Sequence, residues 1–202
     1  PAGTESVNRG VLAEAVAWSF SIPAPKVISI YPQDIPQPLE PLMFLHFDQR
    51  IDPEAVLETI TVYAGTGEME LRLATESEIN ADEEMQKLVE NAVEGRWMVF
   101  RTTQPFSPDT NISITVGPGT PSAEGLLVTT SPQSFSFHTF APLRVVDFGC
   151  NWYGDDCVPL APFYIEFNNS LDEGKFSEEM ISVSPEIQGM VDRLADKHQL
   201  GI

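Results

Sequence analysis

Histidine, cysteine and basic residues are scarce in this 202-residue chain, and each scarcity removes a class of chemistry. There are three histidines, two cysteines and eleven Lys and Arg residues against thirty Asp and Glu, for a formal net charge of -19. Such an excess of negative charge repels phosphate backbones and anionic membrane surfaces, so nucleic acid is not an expected partner. No run of about 18 apolar residues occurs, so no membrane span is expected in this window. No basic, apolar and small-residue leader opens the chain, which places any targeting signal outside it. A Gly-rich phosphate loop, a nucleophile elbow and a metalloprotease helix motif are likewise missing.

What the chain does have is a repeat. Pro1-Ala2-Gly3-Thr4 and then Trp18-Ser19-Phe20-Ser21 recur as Gly117-Pro118-Gly119-Thr120 and then Phe135-Ser136-Phe137-His138. Lys26-Val27-Ile28-Ser29-Ile30 matches Arg144-Val145-Val146-Asp147-Phe148, and the stretch from Phe44 to Asp52 matches that from Tyr164 to Asp172. The offset drifts only from 117 (135 minus 18) to 120 (164 minus 44). Self-similarity at a fixed period marks a modular array. Its phase predicts three pieces: residues 1–24 as the C-terminal strands of one module, residues 25–141 as a complete module, and residues 142–202 as the N-terminal part of a third. The chain thus reads as a window on a longer protein.

Alternation defines the strands. Val16, Trp18, Phe20 and Ile22 share one face, as do Met43, Leu45 and Phe47, with Phe44 and His46 predicted to face outward. Phe163, Ile165 and Phe167 keep the same phase, and Ile60 and Val62 are matched by Ile181 and Val183. Met98, Phe100, Ile112, Ile114 and Val116 supply later strands, while the turn from Pro105 to Thr110 drops Phe106 onto the core. Six or seven short strands in about 115 residues suit a sandwich. The predicted fold is therefore all-β: tandem antiparallel immunoglobulin-like β-sandwich modules with one short inserted helix. That helix is read over residues 81–94 from Met85, Leu88, Val89 and Ala92, with Asp82 as N-cap and Gly95 beyond its end, its apolar stripe packing on the sheet.

Few residues qualify for chemistry, and no catalytic, cofactor-binding or metal site is expected. His46 and His138 fall on outward strand positions and are replaced by Glu166 and Ser21 in the repeat; His198 lies in a polar turn. Asp52 and Asp172 recur after each core strand, where backbone capping is the ordinary role. Asp147, Asp155 and Asp156 lack regular cation-ligand spacing. Asn111-Ile112-Ser113 and Asn168-Asn169-Ser170 fit the glycosylation pattern. Cys150 and Cys157 bracket a short polar loop with a glycine, where a disulfide is sterically reasonable and would imply an oxidising compartment.

The order of these elements resembles bacterial Ig-like modules of the SbsA type: a first strand from Val27 to Pro32, a Leu-x-Phe-Asp core strand, a Phe-x-Pro-x-Thr turn and a closing Ser-Phe-Ser-Phe. More narrowly, Pro159-Leu160-Ala161-Pro162 leading into Ile165 to Asp172, then Ile181 to Glu186, is similar to the N-terminal macroglobulin-type domains of bacterial alpha-2-macroglobulins. That resemblance implies a non-catalytic scaffold of a protease-trapping inhibitor in the periplasm or at the cell surface. Its partners would be proteases, as targets of the full-length protein, and the neighbouring domains of the chain. The Cys-x-Glu-Gln thioester of that family is not in this window. A stalk or adhesion module of a surface or S-layer-associated protein is the alternative reading.

Overall fold

The computed structural model describes residues 1–150, 163–172, 174, 175, 177, 180, 193–196 and 199–201, the last two stretches by backbone only. The chain is β-rich, with mostly antiparallel sheets and few helices. One sheet holds β1 (Val27–Tyr31), β3 (Met43–Phe47), β7 (Trp97–Thr102) and β6 (Leu71–Leu73) in the order β1-β3-β7-β6. A second holds β2 (Pro36–Gln37), β9 (Gln133–Thr139), β8 (Asn111–Val116), β4 (Ile60–Ala64) and β5 (Gly67–Met69) in the order β2-β9-β8-β4-β5. All their pairings are antiparallel except β2 with β9. There the chain leaves β1 and joins the other sheet after four residues, so a two-residue parallel edge departs from the all-antiparallel expectation.

The two sheets share one apolar cluster. Met43, Leu45, Phe47, Met98 and Phe100 come from the first, and Ile60, Val62, Ile112, Ile114, Val116 and Phe137 from the second. All were read as inward from alternation except Phe137, and each is under 7% exposed. Burial of each large side chain contributes roughly 1.5–3 kcal/mol. Phe106 drops in from its loop and meets Phe137 edge-on, with ring centroids 5.9 Å apart.

The helical content departs from expectation. Among the described residues there are three short α-helices: α1 (Pro53–Leu57), α2 (Glu76–Ala81) and α3 (Glu83–Asn91). Asp52 caps α1 by accepting from the Glu54 N–H. Thr75 and Glu78 form a reciprocal capping box that starts α2. Asp82 then adopts extended backbone, which stops α2, and accepts from the Glu84 and Met85 N–H groups to start α3. Met85, Leu88, Val89 and Ala92 pack with Ile79 on Phe44, Val99 and Trp97. Phe44, expected in solvent, is 2% exposed. The insertion roofs the outer face of the first sheet, so both faces of β3 are buried and alternation alone misassigned this residue.

Residues 16–22 form no strand, despite their clean alternation. Trp18 and Phe20 are 81% and 88% exposed. A strand needs a hydrogen-bonded neighbour, and the described residues supply none here.

The repeat is present in three dimensions. β10 (Val145–Gly149) and β11 (Tyr164–Phe167) begin a third sheet in the order β10-β11-β13-β12, with β12 (Arg193–Asp196) and β13 (Gln199–Gly201). Its antiparallel pairings follow the pattern of β1-β3-β7-β6. β1 and β3 pair Val27 with Phe47 and Ser29 with His46 across an irregularity; β10 and β11 pair Val145 with Phe167 and Asp147 with Glu166 across the same one. At Val27 the Gln133 side chain of β9 fills that gap, donating to the Val27 carbonyl and accepting from its N–H. A small hook recurs too. Gly3 N–H bonds Leu12 O and Leu12 N–H bonds Thr4 O, as Gly119 N–H bonds Thr129 O and Thr129 N–H bonds Thr120 O. Both glycines have positive φ, +85° and +97°. The Ile181 and Val183 matches lie outside the described residues.

Candidate functional site

The backbone leading into β1 and that leading into β10 are held by side chains just after β3 and β11. Asp48 follows β3 and accepts from the Lys26 N–H at 2.9 Å; Asn168 follows β11 and accepts from the Arg144 N–H at 2.7 Å. The next residue reaches further back. Gln49 donates to Pro23 O at 3.0 Å, and Asn169 donates to Ala141 O at 2.5 Å. Asn168 also donates to Pro142 O. Gln49 is buried, and its own carbonyl accepts from Ser122 Oγ at 2.6 Å, which links the entering segment to the loop after β8. The sequence presents Asp48 as the end of a core strand and Asn168 and Asn169 as part of a glycosylation pattern, and the linker contacts of all three, with Gln49 and Ser122, are not among its expectations. The available signal for two of them is an amide-bearing side chain at the same repeat position, Gln49 and Asn169.

Two clefts occur among the described residues. One of about 600 Å³ is lined by Ile22, Arg50, Val93, Arg96, Ala123 and Glu124. Arg50 donates to Glu124 through both its N–H and its guanidinium, which holds the Glu124 carboxyl below the usual range. Ile22 sits against Gly125, where an added Cβ would approach its side chain to 2.9 Å. The other cleft, about 510 Å³, lies among Leu73, Ala74, Ile79, Val89, Trp97 and Val99 beneath α2 and α3. At its margin Glu78 takes Arg72, Arg101 and the Thr75 N–H and hydroxyl. Arg72 chiefly, then the Thr75 backbone, drive the Glu78 carboxyl far below the carboxylate range. These contacts tie the helical insertion to the sheet.

The residues singled out from sequence do not converge. His46 lies half-buried beside Phe44, with a buried Nε2 that has no hydrogen-bond partner, rather than on a solvated face. The roof over Phe44 accounts for the difference. His138 is exposed in β9. Asp147 accepts from the Tyr164 hydroxyl at 2.9 Å, which raises the Tyr164 pKa. Asp172 accepts from the Gly174 N–H and pairs with Lys175, which lowers its pKa. Asn168 spends both ends of its amide on the backbone, so the glycosylation pattern there meets an occupied side chain. Cys150 is buried after β10; Cys157, its expected partner, lies outside the described residues, as do Asp155, Asp156 and His198. Among the described residues, no group of three or more His, Cys, Asp and Glu could hold a metal, and no helix is long and apolar enough to cross a membrane.

No protein-family profile matches the chain. Among curated proteins, it is 27% identical over 177 residues to circularly permutated Ras protein 2 of Dictyostelium discoideum, covering 71% of this chain and 4% of that protein. The chain thus spans a small part of that relative's length. Among solved structures, it superposes on the LD transpeptidase LdtMt1 in complex with imipenem at a TM-score of 0.37 and 14% identity, covering 61% of this chain and 43% of the other. The N-terminal part of the bacterial S-layer protein SbsC gives a TM-score of 0.37 and 11% identity, covering 64% and 26%. Superpositions this loose carry no functional argument.

Proposed function

We propose that the chain is a non-catalytic scaffold, a run of immunoglobulin-like modules that sets the spacing of other parts of a longer protein at the cell surface or in another extracytoplasmic compartment. The observation carrying this reading is the recurrence of one strand pair, one backbone irregularity and one linker contact about 118–120 residues apart. The strand orders β1-β3-β7-β6 and β2-β9-β8-β4-β5 support the immunoglobulin-like assignment, since they follow the ABED and CFG sheets of that architecture. The division at residues 24 and 141 belongs to the same proposal, as does a Cys150–Cys157 disulfide.

The narrower role within a protease-trapping macroglobulin rests on the resemblance of its motifs. A surface stalk is the second reading and needs only the modular recurrence. Stretching single molecules tests the shared core of both: residues 25–141 should open in one event, releasing roughly 400 Å of contour from about 117 residues at about 3.5 Å each. Gradual extension without that event would defeat the module reading. Incubation with a panel of endoproteases should leave their cleavage of large substrates unchanged. A stoichiometric adduct through Cys150 or Cys157 would overturn the non-catalytic assignment.

A further inference from the structure

We propose that the two residues after the second strand of each unit, Asp48-Gln49 and Asn168-Asn169, are an inter-module clamp that fixes the orientation of each unit relative to the one before it. The inference rests on the modular reading and adds to it a partner and a mechanism. What the clamp grips is the connecting backbone that leads in from the adjacent module of the same chain. At the second junction, Asn169 holds Ala141 O, two residues beyond the end of β9, while Asn168 holds Pro142 O and the Arg144 N–H. Three consecutive points of the connecting backbone are thereby fixed within four residues, which leaves few free dihedrals between the last strand of one unit and the first of the next. At the first junction the same geometry recurs with different side chains, Gln49 on Pro23 O and Asp48 on the Lys26 N–H.

Neither junction needs these residues to form its first strand pair, because that pairing is made by backbone hydrogen bonds. What the clamp adds is direction. Unclamped, the five residues 140–144 between β9 and β10 would let the modules swing, which is the default for domains without a large shared interface. The Gln49–Ser122 bond extends the hold, since it ties the entering segment to the loop that also seats Ile22 on Gly125. At the first junction the incoming segment is thus received in a socket built from the end of β3 and the loop after β8.

The test uses residual dipolar couplings on the full 202-residue chain. In the wild type, amides of residues 27–139 and of residues 145–149 and 164–167 should fit one shared alignment tensor. Asn169→Asp removes the donor to Ala141 O and sets a carboxylate against that carbonyl, so the tensor of the second group should shrink by on the order of twofold. Asn168→Asp copies the residue of the preceding unit and keeps the acceptor for Arg144, so it should shrink the tensor less. Separate tensors in the wild type, or an unchanged shared tensor in both variants, would overturn the clamp. So would loss of the β10 and β11 amide dispersion in both isosteric variants, because Asn169 would then serve the fold of its own unit. If residues 27–139 failed to fit any single tensor, the module reading itself would fail, a result distinct from failure of the clamp.

Discussion

Glu78 shows how one carboxylate can join three elements. It closes the capping box of α2, pairs with Arg72 of β6 and reaches Arg101 of β7. Its pKa is depressed in the folded chain, so the stabilisation it provides is fully present above the unfolded value of about 4.3 and is lost as pH falls below it. Glu78→Gln keeps the shape and removes the charge. Because Glu78 is a quarter exposed, the variant should lose only about 1 kcal/mol at pH 7. Urea unfolding at pH 7 and pH 3 should show a smaller difference between the two conditions for the variant than for the wild type. An equal difference would remove Glu78 from the acid response. Gly117 carries a different constraint: its φ is +77°, and a Cβ there would lie 2.6 Å from Thr129 Oγ1. Gly117→Ala should therefore cost about 1–3 kcal/mol in chemical denaturation, and a neutral result would mean that the loop relaxes freely.

The elements that sequence made legible are those whose two faces differ. β4, β8 and the inner face of β3 were read from period-2 alternation because one side of each meets the core and the other meets water or a thin cover. Phe44 was misread because its solvent-side position is roofed by residues far along the chain, and no local pattern encodes a roof. α3 was legible from its apolar spacing and from Asp82, while α2 was missed although Thr75 and Glu78 spell a capping box. Residues 16–22 fail for the opposite reason: the pattern of a strand is present without a neighbour to pair with. The junction residues were invisible because a side chain that bonds backbone carbonyls leaves no hydrophobic signature. Met85→Ala tests the roof. Met85 is fully buried between α3 and the sheet, so the variant should lose about 2–5 kcal/mol and increase exposure of Trp97, read by its fluorescence. A loss under about 0.5 kcal/mol would show that the insertion is loosely laid on the sheet.

For the whole molecule, charge and exposed apolar surface oppose each other. A net charge of -19 keeps copies apart, while Val16, Trp18, Phe20 and the loop residues Leu126, Leu127 and Val128 offer uncovered apolar side chains. Screening should shift that balance. Light scattering should report monomers at about 10 mM salt and growing association well above about 150 mM, where the Debye length falls below about 8 Å. The double variant Trp18→Ser, Phe20→Ser should stay monomeric throughout. Association that ignores salt, or that survives the double variant, would assign the contact to another surface.

The hold on the incoming backbone has an evolutionary consequence. Its fixed points are main-chain carbonyls and N–H groups of residues 23, 26, 141, 142 and 144, and the gripping side chains differ between units, Asp-Gln in one and Asn-Asn in the other. Apart from the apolar contact of Ile22 with Gly125, a junction specified in that way asks little of the sequence that precedes it. Genes encoding such units can be duplicated, deleted or shuffled by recombination, and each new neighbour would be received in the same pose without compensating substitutions.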